Sequence, residues 1–372
     1  MYYEYDLELL GTTLTRLKKA AKAVPGCHIH YALKANANPL IVNKIREAGL
    51  GADCVSGGEI QRAIDCGFAP ESLVFAGVGK AEWEIRLALE AGIGMFNVES
   101  LEELAVINEM ALELGQTARV AFRINPNVDA HTHEKITTGL SENKFGIDMS
   151  QMLDAIRTAM EMKGVEYVGL HFHIGSQITD MKPFVMLSER INELQEQIAE
   201  AGLPLAKSVN VGGGLGIDYE EPEKNRVPDF DTYFKTFAEH LKLAKGQELH
   251  CELGRSVVAQ CGRLVAKVLY VKRGLKKRFA IVDAGMTELI RPAMYGAFHK
   301  CILLAEDASE RPMKTYDVVG PICESSDVFL RNYGMPEVKR GDKVAFLSAG
   351  AYGEVMASRY NCRKEVEVRV KG

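Results

Sequence analysis

From residue 28 to about residue 255, short apolar runs of strand length alternate with longer segments whose apolar residues recur at helical spacing, the pattern of a parallel α/β fold. The strand-like runs are HIHYALK (28–34), GADCVS (51–56), SLVFAG (72–77), GMFNVES (94–100), RVAFRIN (119–125), YVGLHFHIG (167–175), SVNVGGG (208–214) and ELHCELGR (248–255). Helix signals lie between them. Asn38-Pro39 reads as an N-cap with proline at the first helical position. Ser56-x-x-Glu59 and Ser100-x-x-Glu103 read as capping boxes, and Gly67 and Gly202 stand where C-terminal caps belong. Eight such units in about 230 residues match a (β/α)8 barrel better than an open doubly wound sheet. After Arg255 the pattern turns to strands without long helices: RLVAKVLYVKR, KRFAIVDAG, TYDVVGPIC, DKVAFLSAGAYG and EVEVRV. The expectation is therefore a barrel domain over residues 1–255 and an all-β domain, Greek-key or barrel-like, over 256–372.

Composition adds exclusions. At 47% apolar and 26% charged residues the chain reads as an ordinary globular protein. A net charge of −5, with no basic block interleaved with aromatics, argues against nucleic acid as partner. The start MYYEYDLELLG has no signal-peptide pattern, and no apolar run approaches membrane-spanning length, so a cytoplasmic protein acting on a small soluble molecule is expected. The eight cysteines include no C-x-x-C pair and read as reduced thiols rather than a disulfide or zinc framework. One irregular stretch, residues 125–146, is long enough to suggest a lid.

In a barrel, catalytic groups gather at the C-terminal strand ends. Here those ends carry Lys34, Asp53, Arg123 and Asn125, His173 and Ser176, then Glu252, Gly254 and Arg255. Strand seven ends in Gly212-Gly213-Gly214, where backbone N–H groups can approach an anion with no Cβ in the way. The loops after strands seven and eight are the usual phosphate site of this architecture. A lysine that partial burial relieves of its charge, a phosphate cradle and a carboxylate together describe pyridoxal 5'-phosphate held as a Schiff base. Glu252 would keep the pyridine nitrogen protonated, which favours a strong electron sink and hence decarboxylation. His171 and His173 form a lone H-x-H without a third ligand, so no metal site is expected.

The motifs YALKANANP, GADCVSGGE, GLHFHIGSQ, NVGGGLG, ELGRS, RPAMYGAFH, GPICESSD and AGAYG jointly resemble those of the fold type III pyridoxal phosphate decarboxylases, most closely the diaminopimelate decarboxylases. The resemblance spans nearly the whole chain. It implies Lys34 as the Schiff-base lysine, His173 stacked on the cofactor ring, and Ser176, Gly212 to Gly214 and Arg255 at the phosphate. It implies Tyr352 reaching cofactor and substrate, and Cys323 reprotonating the carbanion after CO2 leaves. Glu324 would hold the distal amino group, and Arg255, Arg291 and Tyr295 the distal carboxylate of the amino-acid substrate. A homodimer is implied too, with Cys323 and Glu324 serving the opposite subunit's site.

Three features depart from the family pattern. The upstream segment that adds a strand to the β domain is shortened to YYEYD, Leu253 replaces a common proline, and His131 and His133 match no family role. Two alternatives stand beside decarboxylation of meso-diaminopimelate to L-lysine. One is a decarboxylase of ornithine, arginine or a carboxylated polyamine; the other is a non-catalytic pyridoxal phosphate carrier.

Overall fold

The computed structural model describes residues 1–128 and 144–371. The expected lid lies largely outside them, as do His131 and His133. The chain divides into two compact units, Leu14–Gly216 with Asp229–Gly254, and Met1–Thr13 with Ile217–Pro228 and Arg255–Gly372.

The chain opens with β1 (Tyr2–Asp6) and α1 (Leu7–Ala21). Then follow β2 (His28–Ala32), α2 (Pro39–Glu47), β3 (Gly51–Cys54), α3 (Gly57–Asp65), β4 (Leu73–Phe75), α4 (Glu82–Ala91), β5 (Met95–Val98), α5 (Leu101–Glu113) and β6 (Ala118–Asn125). After the short β7 (Ile147–Asp148) come α6 (Met152–Glu161), β8 (Val165–His171), α7 (Lys182–Glu200), β9 (Ser208–Asn210), α8 (Phe230–His240) and β10 (Glu248–Leu253). Strands β2 through β6 pair in succession, β6 pairs with β8, β8 with β9, β9 with β10, and β10 returns to β2, every pairing parallel. This is a closed ring of eight strands, the (β/α)8 barrel expected from the count of apolar runs.

Local chemistry accounts for the helix starts. Asn38 Oδ1 accepts the Leu40 N–H with Pro39 just inside the helix, and Ser56 and Ser100 accept from the N–H groups of Glu59 and Glu103. The two glutamates do not close their boxes on the cap residue. Each reaches one residue further back, Glu59 accepting from Val55 N–H and Glu103 from Glu99 N–H, which ties the preceding strand to the helix. Inside, Val74, Met95, Ala121 and Val168 from β4, β5, β6 and β8 pack in one buried cluster.

The second unit contains α9 (Arg255–Val258), β11 (Gly262–Arg273), β12 (Arg278–Val282), α10 (Arg291–Tyr295), β13 (Cys301–Leu303), β14 (Met313–Val319), β15 (Val328–Pro336), β16 (Lys343–Phe346) and β17 (Glu367–Lys371). Its strands run in the order β13-β16-β11-β12-β14-β15. The N-terminal YYEYD, shorter than the family's upstream segment, itself supplies a strand to this sheet. As β1 it pairs antiparallel with β11 and parallel with β17. A division at residue 255 alone therefore does not describe the two units: residues 1–13 and 217–228 belong with the C-terminal sheet, because β1 finds its backbone partners there. The alternating burial of β1, with Tyr3 and Tyr5 wholly buried, is the signature of a strand with one covered face.

Candidate active site

Lys34 follows β2 in a single 3-10 turn, Leu33–Ala35, whose flanking Leu33 and Ala35 are buried while the lysine remains partly exposed. Its Nζ donates to Asp53 Oδ2 at 3.1 Å. Asp53 is wholly buried on β3. Burial raises its carboxyl, Glu252 adds to the rise, and Lys34 opposes it.

Glu252, buried near the end of β10, is held from three sides. Its Oε1 accepts from Asn97 Nδ2 at 2.9 Å and Asn210 Nδ2 at 2.8 Å, while Oε2 faces His171 Nε2 at 3.0 Å. Burial alone would raise this carboxyl. The His171 ring and its hydrogen bond, with Lys34 and His173 behind them, outweigh it and hold Glu252 well below the usual carboxylate range. The glutamate therefore stays ionised in a setting where an isolated charge would be costly.

His173 lies two residues past β8. Burial holds it well below the ordinary imidazole range, and the charges of Arg123 and Lys34 push the same way, so the ring is neutral. Arg123 itself is paired with Glu99 Oε1 at 2.8 Å and lies over the Phe145 ring, 4.6 Å from its centroid. The other oxygen of Glu99 accepts from Gly146 N–H at 2.7 Å. Ser176 is half-buried in the bend after Gly175.

The three glycines after β9 have a steric reason beyond anion approach. A Cβ on Gly212 would stand 2.2 Å from Phe172 O, one on Gly213 2.1 Å from Glu252 O, and one on Gly214 2.9 Å from Gly175 O. Gly212 N–H is engaged by Asn210 Oδ1 at 2.9 Å, and Gly213 N–H lies 3.4 Å from His173 Nδ1. Gly254 likewise lets β10 end against Ala32 and Ala35, where a Cβ would approach their methyl groups to 3.2 and 3.1 Å.

In the second unit, two buried guanidinium groups share one tyrosine. Arg255 Nη1 donates to Tyr219 Oη at 2.7 Å, and the Cζ atoms of Arg255 and Arg291 lie 5.9 and 5.0 Å from the Tyr219 ring centroid. Arg255 also faces the Tyr352 ring at 4.9 Å. Tyr352 has φ +54°, a conformation unusual for a tyrosine. Arg291 starts α10 and donates to His299 Nε2 at 2.7 Å, while His299 Nδ1 donates to Leu347 O at 2.9 Å. Burial and the Arg291 charge push His299 down to about 3. Tyr295 is half-buried one helical turn beyond Arg291, on the same side of α10. Cys323 and Glu324 are exposed. Cys323 N–H lies 3.3 Å from Asn361 Oδ1, and Tyr360 Oη donates to Glu324 Oε1 at 2.8 Å.

The sequence-derived residues thus fall into three groups: the barrel end, the Arg255–Arg291 cluster, and the exposed pair Cys323–Glu324. Several positioning residues escaped sequence reading, namely Asn97, Asn210, Glu99, Tyr219 and His299. Asn97 and Asn210 interrupt apolar strands, and a buried amide in such a run was the available signal.

The barrel donors suit a phosphorylated pyridine aldehyde. Glu252 Oε2 has one protein partner and room to accept from a ring N–H. Asp53 Oδ1 is buried without a partner among the described residues, 0% of its residue being exposed, beside the one amine in reach. His173 offers a neutral aromatic face.

Comparison with known proteins carries the same reading. The family of pyridoxal-dependent decarboxylases, pyridoxal binding domain, matches residues 10–259. Diaminopimelate decarboxylase of Bacteroides thetaiotaomicron is 59% identical over 363 residues, 98% of this chain and 93% of that protein. The enzyme of Helicobacter pylori strain J99 is 42% identical over 365 residues, 98% of this chain and 88% of the relative. The crystal structure of Helicobacter pylori diaminopimelate decarboxylase complexed with L-lysine matches with a TM-score of 0.93 at 40% identity, covering 100% of this chain and 91% of that one. With a family cofactor domain matched over residues 10–259 and a named relative sharing 59% of positions along almost its whole length, the chain belongs to the pyridoxal-dependent decarboxylases, on their diaminopimelate decarboxylase branch, and its cofactor is pyridoxal 5'-phosphate.

Proposed function

We propose that this protein removes CO2 from the D-configured centre of meso-diaminopimelate, yielding L-lysine. The observation that carries the reading is the ionised, triply held Glu252, taken with the lysine complexes of its structural relatives. When bound, pyridoxal phosphate supplies an electron sink for the pair left on Cα as CO2 departs. Lys34 supplies the amine that holds the cofactor aldehyde, with Asp53 orienting Nζ. Glu252 keeps the ring nitrogen protonated by accepting its N–H, and Asn97, Asn210 and His171 keep Glu252 from turning away. His173 gives the ring an uncharged surface to lie on. Ser176 and the glycines take the phosphate, and in the second unit Tyr352 packs on the Arg255 guanidinium.

For the substrate, we assign Arg255, Arg291 and Tyr295 to the distal carboxylate. Two buried guanidinium groups are set against one tyrosine, and Arg291 is lowered by burial and by the charge of Arg255, so an anion beside Arg291 relieves it. Ornithine and arginine bring no such carboxylate. Cys323 would return a proton from Sγ to Cα and Glu324 would hold the distal ammonium. Their exposure on this chain supports a two-fold dimer in which each subunit completes its partner's site. No helix among the described residues is long and apolar enough to cross a membrane. The scattered unpaired thiols support a cytoplasmic setting.

CO2 release measured on the pyridoxal-phosphate-loaded protein with meso-diaminopimelate, ornithine, arginine and lysine tests the assignment. Release from meso-diaminopimelate alone, lost together with the cofactor's visible absorption in Lys34→Ala, is expected. Preference for a substrate without the distal carboxylate overturns the substrate, and full activity in Lys34→Ala overturns the class.

A further inference from the structure

At the N-terminal ends of the barrel strands a second cluster of chemistry-bearing side chains gathers, His28 and His30 on β2 with Glu248 and His250 on β10. The two strands are parallel neighbours in a register that sets His250 beside His28. Side chains repeat every second residue along a strand, so Glu248, His250 and Glu252 share one side of β10. Glu248 lies four residues, about 13 Å, from Glu252. Three imidazoles stack there, with ring centroids 4.8 Å apart for His28 and His250 and 5.2 Å apart for His30 and His250.

Hydrogen bonding decides which nitrogens carry protons. His30 Nδ1 lies 3.2 Å from Ser72 O, a carbonyl that can only accept, so in the neutral buried ring Nδ1 donates and Nε2 is an acceptor. His250 Nδ1, 2.9 Å from that Nε2, must then donate to it. Its own Nε2 is left with a bare lone pair, and this atom faces Glu248 Oε2 at 3.9 Å. His28 Nε2 lies 3.4 Å from the same oxygen. In the neutral His250 ring that lone pair and the Glu248 oxygen are two electron-pair donors able to share one cation.

The spacing suits one. The three donor atoms lie within 4.8 Å of one another. Tetrahedral bonds of about 2.0–2.1 Å place ligand atoms roughly 3.4 Å apart, a distance that small rotations of the exposed His28 and Glu248 side chains reach. The carbonyl–His30–His250 chain is the kind of support that fixes the tautomer and direction of a ligating imidazole. Gly51 makes room for it, since a Cβ there would stand 2.4 Å from Ser72 O and 2.7 Å from His30 Nδ1. We propose that His28, Glu248 and His250 form a binding site for a late first-row divalent cation, Zn2+ foremost, with its remaining coordination open to water. The ion would tie the first barrel strand to the last at the seam where the ring closes, and so stabilise the fold by mass action. The expectation of no metal weighed His171 and His173, which lack a third ligand; at this other end the adjacent strand supplies it.

The test is Zn2+ titration of the metal-free, pyridoxal-phosphate-loaded enzyme by calorimetry, with the thermal midpoint followed in parallel. His28→Ala and Glu248→Gln are the variants, both exposed and neither in the decarboxylation machinery, so their activity should equal that of the native chain. The native chain should take up one ion and unfold at a higher temperature when loaded. Each variant should bind at least about tenfold more weakly and lose that rise. No uptake at sub-millimolar Zn2+ by the native chain, or equal uptake by the variants, overturns the proposal.

Discussion

Glu59 shows how a single side chain can serve a fold and burden it. It helps start α3 by accepting from Val55 N–H, yet burial pushes its carboxyl up to about 7 from an ordinary 4.5, with Asp53 pushing the same way. Between those values the folded chain binds more protons here than the unfolded chain, so this residue's contribution to stability is greatest below about 4.5 and falls as pH rises to about 7. Glu59→Gln keeps an acceptor for Val55 and removes the ionisation. Urea denaturation of both forms across that window should show a flatter pH dependence for the variant and higher stability above pH 7; parallel curves would refute the assignment. At this scale the sequence was legible where a residue type is rare in its setting. A lysine or a glutamate at an apolar strand end is conspicuous, so Lys34 and Glu252 stood out. Asn97 and Asn210 did not, and His171 was read only as half of an incomplete metal pair, because their purpose depends on where strands from distant parts of the chain bring them. The capping pattern at Ser56 and Glu59 was visible, but which backbone N–H the glutamate reaches depends on the angle between strand and helix.

Among elements, the eight barrel strands were readable because most of their positions are buried and the runs recur at a regular period, even where β2 and β10 begin with exposed His28 and Glu248. The strands β13 and β15 were missed. VFLRNYGMP, the sequence of β15, carries charge, glycine and proline in an antiparallel setting where exposed positions tolerate them. The turn after β9 was recognised as glycine-rich, but one reason lies in a neighbouring element. Because Gly213 packs its Cα against the Glu252 carbonyl, the end of β9 fixes the height of β10 and with it the carboxylate. In Gly213→Ala the new methyl meets backbone, which cannot swing aside, and the overpacking should cost about 1–3 kcal/mol. The variant should also hold pyridoxal phosphate less tightly. Thermal unfolding and dialysis against cofactor-free buffer measure the two effects, and a variant that matched the native chain in both would show that the strand ends yield more easily than the spacing implies.

At the scale of the whole molecule, the chain's first residues complete a sheet otherwise built from its last third. This was not legible in YYEYD, because a short alternating run indicates a strand without indicating its partner, and the partners here are more than 250 residues away. The pairing has an energetic core. Tyr3 and Tyr5 are wholly buried, Tyr3 Oη donates to Glu288 O at 2.7 Å, and Tyr5 Oη donates to Glu354 Oε2 at 2.5 Å. Among the described residues β17 has β1 as its strand partner, so its backbone hydrogen bonds depend on residues 2–6 being in place. Removing residues 1–6 should therefore release the C-terminal strand as well as delete the N-terminal one. Trypsin has sites at Arg363 and Lys364, just ahead of β17, and should cut the truncated chain there while leaving the intact chain whole under the same conditions. A gentler version is Tyr5→Ala, for which losing a large buried aromatic should cost about 3–5 kcal/mol and increase cleavage at the same two sites. If the truncated chain resisted trypsin as well as the intact one, β17 would be held by something other than β1. If Tyr5→Ala lowered stability without exposing those sites, the tyrosine would be anchoring the sheet's core rather than its edge.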